Sequence, residues 1–283
     1  MAREIYIQNT HFFKKKLKET DFIGTENYTV SYLDQDMRQT FEKSEASFTV
    51  IYNRDHIGRG VQIVDIDDKH TIHLAVSLPC TEEDIEVLYN VASRIAQKWN
   101  TSYIMIDDNK VACSDIKRWK DRDISTNINI LKNAQNVFQT DSVELYCAVM
   151  PICIPTNQLQ KYADNYDEFS TYLNEKQHID AFYSCPHFII KDSKLCSLYV
   201  GITDGPFIIP KAPKMTANSN EVKKNCDKAL IAIYNVFQDD NTNMMEFNDF
   251  LNGIPQGKLS EFDCNHYLVS PLSIQELQTL FRQ

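Results

Sequence analysis

Hydrophobic and polar positions are most regularly patterned between residues 60 and 106. Val61-Gln62-Ile63-Val64-Asp65-Ile66 is β-rich, and Asp67-Asp68-Lys69-His70 supplies a turn. Ile72, Leu74, Val76 and Leu78 then take every second position, the period of a strand buried on one face. Pro79 ends that run. Thr81 follows as an N-cap, with Glu82, Glu83 and Asp84 on the first helical turn, where the helix dipole favours negative charge. Ile85, Leu88, Tyr89, Ala92, Ile95, Ala96 and Trp99 recur at steps of three and four, so one helical face is apolar. Tyr103-Ile104-Met105-Ile106 adds a short strand. Hairpin, helix and strand predict an α+β layer whose core holds Ile72, Leu74, Val76, Ile85, Leu88, Ile95 and Trp99. Ahead of it, Met1-Ala2-Arg3-Glu4-Ile5-Tyr6-Ile7-Gln8-Asn9 reads as a first strand with Ile5 and Ile7 on one face.

A related pattern returns further on. Val143 to Ile154 reads as one long apolar strand bounded by Pro151 and Pro155. Thr156 or Asn157 then caps a helix carrying Leu159, Tyr162, Ala163, Tyr166, Phe169 and Leu173. His187 to Ile190 and Leu195 to Ile202 are strands joined by the turn Lys191-Asp192-Ser193-Lys194, and Phe207-Ile208-Ile209 is one more. Residues 210–220 form an exposed loop. A helix is expected over 221–238, with Val222, Cys226, Ala229, Leu230, Ile233 and Phe237 on one face. The last helix takes Ser270 as its cap and Pro271 as its first residue. Thr126 to Phe138 also reads as a helix, which places a boundary near residue 140. The expected architecture is α+β with two helix-on-antiparallel-sheet halves, 1–140 and 141–283, either separate or joined in one continuous domain.

Composition narrows the class. An apolar fraction of 43% supports a packed core, and 7 Gly with 9 Pro exclude collagen-like and low-complexity chains. No apolar run reaches the roughly 18 residues of a membrane span, and the N-terminus lacks the apolar core of a secretory signal. Acidic side chains number 39 against 29 basic ones, a net charge of −10 that disfavours general nucleic-acid binding and suits either a basic protein partner or nothing beyond solubility. The basic cluster Lys14, Lys15, Lys16 and Lys18 is a solvated face. Cysteines 80, 113, 147, 153, 185, 196, 226 and 264 sit in an unsignalled chain, several within apolar patterns. They read as reduced, buried thiols in a cytoplasmic protein.

Three constellations carry possible chemistry. Asp65, Asp67 and Asp68, with Asp107 and Asp108, follow apolar strands, where carboxylates bind divalent cations. Asp-x-Lys at 67–69 and 108–110 is similar to metal-dependent nucleases, so Asp65, Asp67 and Asp107 are the catalytic alternative, a metal-dependent phosphodiesterase or hydrolase. Turn formation explains the same aspartates. Cys185-Pro186-His187 and Cys264-Asn265-His266 offer four zinc ligands, though without Cys-x₂-Cys spacing. Buried thiol and surface imidazole is the competing reading. Tyr162, Tyr166 and Tyr172 on one helix, with Asp164, Asp167 and Glu168 between them, suit either a protein interface or core packing. Gly58-Arg59-Gly60 is the only close glycine pair and precedes a strand, so it reads as a bend rather than a phosphate loop. No motif activates a nucleophile, cradles phosphate or holds a nicotinamide. The expectation is therefore no cofactor and no resident metal, and a non-catalytic role. Its sharpest version is immunity- or antitoxin-like masking of a basic partner.

Ile57-Gly58-Arg59-Gly60-Val61, the hairpin, Leu78-Pro79, the acidic helix start Glu82-Glu83-Asp84 and the opening strand Ile5-Tyr6-Ile7-Gln8-Asn9 resemble a bacterial family of uncharacterised proteins of similar length. The resemblance implies a bacterial, cytoplasmic, α+β protein. It transfers no activity and no catalytic residue.

Overall fold

Apolar positions every second residue make strands, and the longest sheet is built around the first of them. The computed structural model describes residues 1–10, 15–24, 27–34, 39–40, 47–67, 69–218, 223–233, 236 and 244–282. Lys14, Asp68, Val222 and Phe237 lie outside the described residues. The chain divides into two compact units, Met1–His178 and Ile179–Gln283.

The first unit begins β1 (Ala2–Gln8), α1 (Glu19–Ile23), β2 (Tyr28–Leu33), β3 (Gln39–Thr40) and β4 (Phe48–Asn53). Next come β5 (Val61–Asp67), β6 (Thr71–Ser77), α2 (Glu82–Lys98), β7 (Tyr103–Ile106) and β8 (Asn109–Ala112). It closes with α3 (Ile116–Lys132), α4 (Ala134–Phe138), β9 (Ser142–Leu145), β10 (Ile152–Pro155), α5 (Thr156–Lys161) and α6 (Tyr166–Gln177). Eight strands form one antiparallel sheet in the order β3-β2-β4-β5-β6-β1-β7-β8. Its inner face packs on α2, whose capping box pairs Thr81 with Asp84. Ile72, Leu74, Val76, Ile85, Leu88, Ile95 and Trp99 are all buried there, as the periodicity requires.

The second unit holds β11 (Phe182–Tyr183), β12 (His187–Lys191), β13 (Lys194–Gly201), β14 (Phe207–Pro210), β15 (Thr216–Asn218) and β16 (Lys223–Asn225). It continues with β17 (Lys228–Ile233), β18 (Met244–Glu246), α7 (Phe247–Gly253), β19 (Leu259–Glu261), β20 (His266–Val269) and α8 (Ile274–Phe281). Two four-stranded sheets, β11-β14-β20-β19 and β12-β13-β17-β18, contribute to a core with Tyr199, Phe207, Ile231, Phe247 and Phe250. The protein is thus α+β, with helices packed against antiparallel sheet.

Several sequence expectations are corrected. The residue-140 boundary falls inside the first unit, because 141–178 is tied to what precedes it. Ile57 N donates to Asn174 Oδ1 (2.7 Å) and the Tyr166 hydroxyl donates to Cys80 O (2.7 Å). The two four-stranded sheets of the second unit are mixed, since β11–β14 and β13–β17 pair in parallel. The expected strand 143–154 is the antiparallel pair β9–β10. Helix 126–138 starts ten residues earlier and divides into α3 and α4. The helix expected over 221–238 is β16 and β17 where it is described; Leu230, Ile231, Ala232 and Ile233 are all buried, so β17 has no polar face to show a strand period. The last helix is capped by Ser273, three residues beyond Ser270, because Glu276 completes its capping box.

Candidate functional site

The Gly58-Arg59-Gly60 bend meets the start of α2, and the carboxylate of Asp84 fills the space between them. Its oxygens accept from Arg59 N (3.0 Å), Gly60 N (2.8 Å), Thr81 N (2.9 Å) and Thr81 Oγ1 (2.9 Å). Converging amides at a helix start make an anion cradle, and here the chain supplies the anion itself. Asp84 is only 2% exposed. The Arg59 guanidinium is turned to carbonyls, Nε to Tyr146 O and Nη1 to Pro79 O, each at 3.1 Å. Burial pushes the Cys147 thiol up to about 12 and lifts Cys80 well above its ordinary value. A similar buried group joins Arg3, Asp123 and the Tyr89 hydroxyl. Burial raises the Asp123 carboxyl although Tyr89 and Arg3 favour its charged form. The Asp84 cradle is filled by the chain itself, while Arg3 also pairs with the partly exposed Asp107.

The proposed metal sets are not assembled. Asp65 and Asp67 lie on β5, and Asp107 follows β7, with β6 and β1 between them. Three strand spacings separate the two groups by about 14 Å. Asp67 serves its turn instead, accepting from Lys69 N (3.1 Å) and pairing with His70 Nδ1 (2.8 Å). The His70 hydrogen bond, then the Lys69 amide, hold its carboxyl below the usual range. Asp108 is exposed in the β7–β8 turn. Cys185 and His187 lead into one sheet of the second unit, while Cys264 and His266 lead into the other. His266 bonds Asp263 through Nδ1 (2.9 Å) and the Tyr183 hydroxyl through Nε2 (2.9 Å). Among the described residues, no three His, Cys, Asp or Glu are grouped to hold a metal ion. None of the eight cysteines forms a disulfide.

The three tyrosines do not share one helix. Tyr162 ends α5 and is buried, whereas Tyr166 and Tyr172 lie on α6. Tyr162 packs on Phe169 and Tyr172 at ring separations of 5.5 and 5.8 Å. The Tyr166 hydroxyl faces Cys80 O and Asn127 Nδ2. The geometry there is packing.

Aromatic side chains are presented elsewhere, on the outer face of the eight-stranded sheet. Alternation turns Ile5, Ile72 and Ile106 inward and sends their neighbours outward. The register sets Asp65 beside His73, His73 beside Tyr6, Tyr6 beside Met105 and Met105 beside Lys110, one row across five strands. Glu4 flanks this row beside Ala75, and Asp67 flanks it through Thr71, next to Gln8. Tyr6 stacks on His73 with ring centres 3.8 Å apart, and His73 Nε2 is 3.2 Å from Glu4 Oε2. Tyr6 is 44% and Tyr103 51% exposed. Lys110 Nζ stands over the Tyr103 ring at 4.5 Å. By contrast, Val50, Tyr52, Ile57 and Ala148 cover the same face towards β4. The sequence pattern puts Ile5 and Ile7 on one face of the first strand but does not show Tyr6, His73, Met105 and Tyr103 as neighbours. Only strand order brings them together.

The described helices include none long and apolar enough to cross a membrane. A family model described as a domain of unknown function (DUF4299) matches residues 2–280. No curated protein and no solved structure matches the chain.

Proposed function

The chain belongs to the DUF4299 family, and we propose that it is a non-catalytic, cytoplasmic bacterial protein that binds a basic protein partner through the outer face of its eight-stranded sheet. The observation that carries this reading is the outer-face row Asp65–His73–Tyr6–Met105–Lys110, in which Tyr6 stacks on the buried His73 while Asp65, Tyr6 and Lys110 are exposed, with Tyr103, Glu4 and Asp67 around it. Tyrosine gives large amphipathic contact at a small entropy cost, and Met adapts to irregular surfaces. The carboxylates of Glu4, Asp65 and Asp67 outnumber the single Lys110 ammonium here, in keeping with the chain's net charge of −10. Such a field speeds association with a cationic surface more than it deepens affinity. Immunity- or antitoxin-like masking of a basic protein is the specific form of the proposal.

Capture from the native host at low and moderate salt, followed by titration of the purified captured protein, tests it. Asp65→Lys with Asp67→Lys is expected to slow association by about tenfold, most strongly at low salt. Tyr6→Ala with Tyr103→Ala is expected to speed dissociation. If neither pair alters the kinetics, or if a metabolite co-purifies and no protein does, the reading fails.

A further inference from the structure

Among the described residues, strand β12 is an edge of the sheet β12-β13-β17-β18 with no strand beyond it, and its side chains are unusually apolar for an edge. Ile190 is 79% and Phe188 36% exposed. The turn to β13 is two residues, Asp192 and Ser193, with φ of 50° and 62°, so Lys191 and Lys194 form the hydrogen-bonded pair that closes the hairpin. Antiparallel alternation then makes Ile189–Cys196 and His187–Leu198 bonded pairs as well. Leu195 confirms the phase: its N–H donates to Asp227 Oδ2 and its carbonyl accepts from Asp227 N, both away from β12. The N–H and C=O groups of Phe188 and Ile190 therefore point outward from the sheet edge. Phe188 pairs with Ser197, so its side chain and that of Ile190 stand on the face shared with Tyr199, which is the core face.

We propose that β12 pairs antiparallel with β12 of a second copy of this chain, joining the two sheets into one of eight strands. Self-pairing fits the strand's own phase. A two-fold axis through Ile189 sets Phe188 opposite Ile190 of the other copy, and the outward groups of both residues form four backbone hydrogen bonds. All four exposed apolar side chains then cluster on the core face and extend the core that Tyr199 and Ile231 begin. A partner strand of other sequence would gain the same backbone bonds without this reciprocal cover. Five residues a side bury less than the roughly 1,200 Å² of a stable interface, so the dimer is weak and concentration-dependent.

Sedimentation velocity of the full chain across a micromolar-to-millimolar series is the test. A dimer that grows with concentration is expected. Ile190→Pro removes an outward N–H that no bond uses among the described residues, and edge strands tolerate proline; it is expected to abolish the dimer and keep the thermal midpoint. Ile190→Lys is expected to do the same through charge. Ile189→Cys, central and opposite its own copy, is expected to cross-link under mild oxidation, with the parent protein as the control. A monomer throughout the series overturns the proposal. So does a dimer that survives both Ile190 substitutions, or an Ile189→Cys variant that does not cross-link while it dimerises.

Discussion

Asp84 occupies the space that a side chain at Gly58 would need. A Cβ at position 58 would lie 2.8 Å from Asp84 Cγ, and the same carboxylate holds the amides of Arg59 and Gly60. Glycine is required there by the proximity of the acid. Gly60 adds a second requirement, a φ of +72° with Ala148 Cβ 3.2 Å from where its own Cβ would stand.

Asp84→Ala is therefore expected to cost on the order of 3 kcal/mol, because buried amides lose their acceptor. Gly58→Ala alone is expected to cost about 1–3 kcal/mol through overpacking. In the Asp84→Ala background that second cost should shrink, giving a coupling of at least about 0.5 kcal/mol in urea denaturation. Strict additivity would mean that the two positions do not compete for space.

Leu88 is fully buried on the apolar face of α2. Leu88→Ala is expected to lower stability by about 2–5 kcal/mol, read as a drop in Tm. An unchanged midpoint would remove this helix face from the core.

How much of this was legible in the sequence follows from the distance over which each interaction acts. The stretch from β5 to β7 was readable because its strand period, its cap and its helix period all lie within one local segment. β17 was not, because a strand paired on both sides and buried on both faces is a continuous apolar run, and Cys226, Ala229, Leu230 and Ile233 also satisfy helical spacing. The β-branched Ile231 and Ile233 were the overlooked signal. The outer-face row was illegible for another reason: Tyr6, His73 and Met105 meet only through long-range strand order.

The start of the last helix offers a direct check on one of those corrections. Ser273 Oγ accepts from Glu276 N, whereas Ser270 contributes its backbone N–H to Lys258 O. Ser273→Ala is expected to cost about 0.5–2 kcal/mol, and Ser270→Ala distinctly less. The reverse order in chemical denaturation would restore Ser270 as the cap.

The thiol of Cys147, raised by burial from 9.0 to about 12, links stability to alkaline pH. The unfolded thiol loses its proton first, so stability is fully present below pH 9.0 and declines as pH rises towards 12. Cys147→Ala should make that decline shallower. At pH 8 in the native protein, alkylation followed by mass spectrometry is expected to leave Cys80 and Cys147 unmodified while the partly exposed Cys113 and Cys264 react. Early labelling of Cys147 would contradict its burial.

Finally, β1 lies between two strands that come much later in the chain, pairing Ile5 with both Leu74 and Ile106. During synthesis the earliest strand must wait for α2 and its flanking strands before both of its edges are satisfied. Closing those long loops costs entropy before any contact repays it, and such topologies fold slowly. β1 thus bridges two local hairpins, β5–β6 and β7–β8, and without it β6 and β7 would each be left with an open edge.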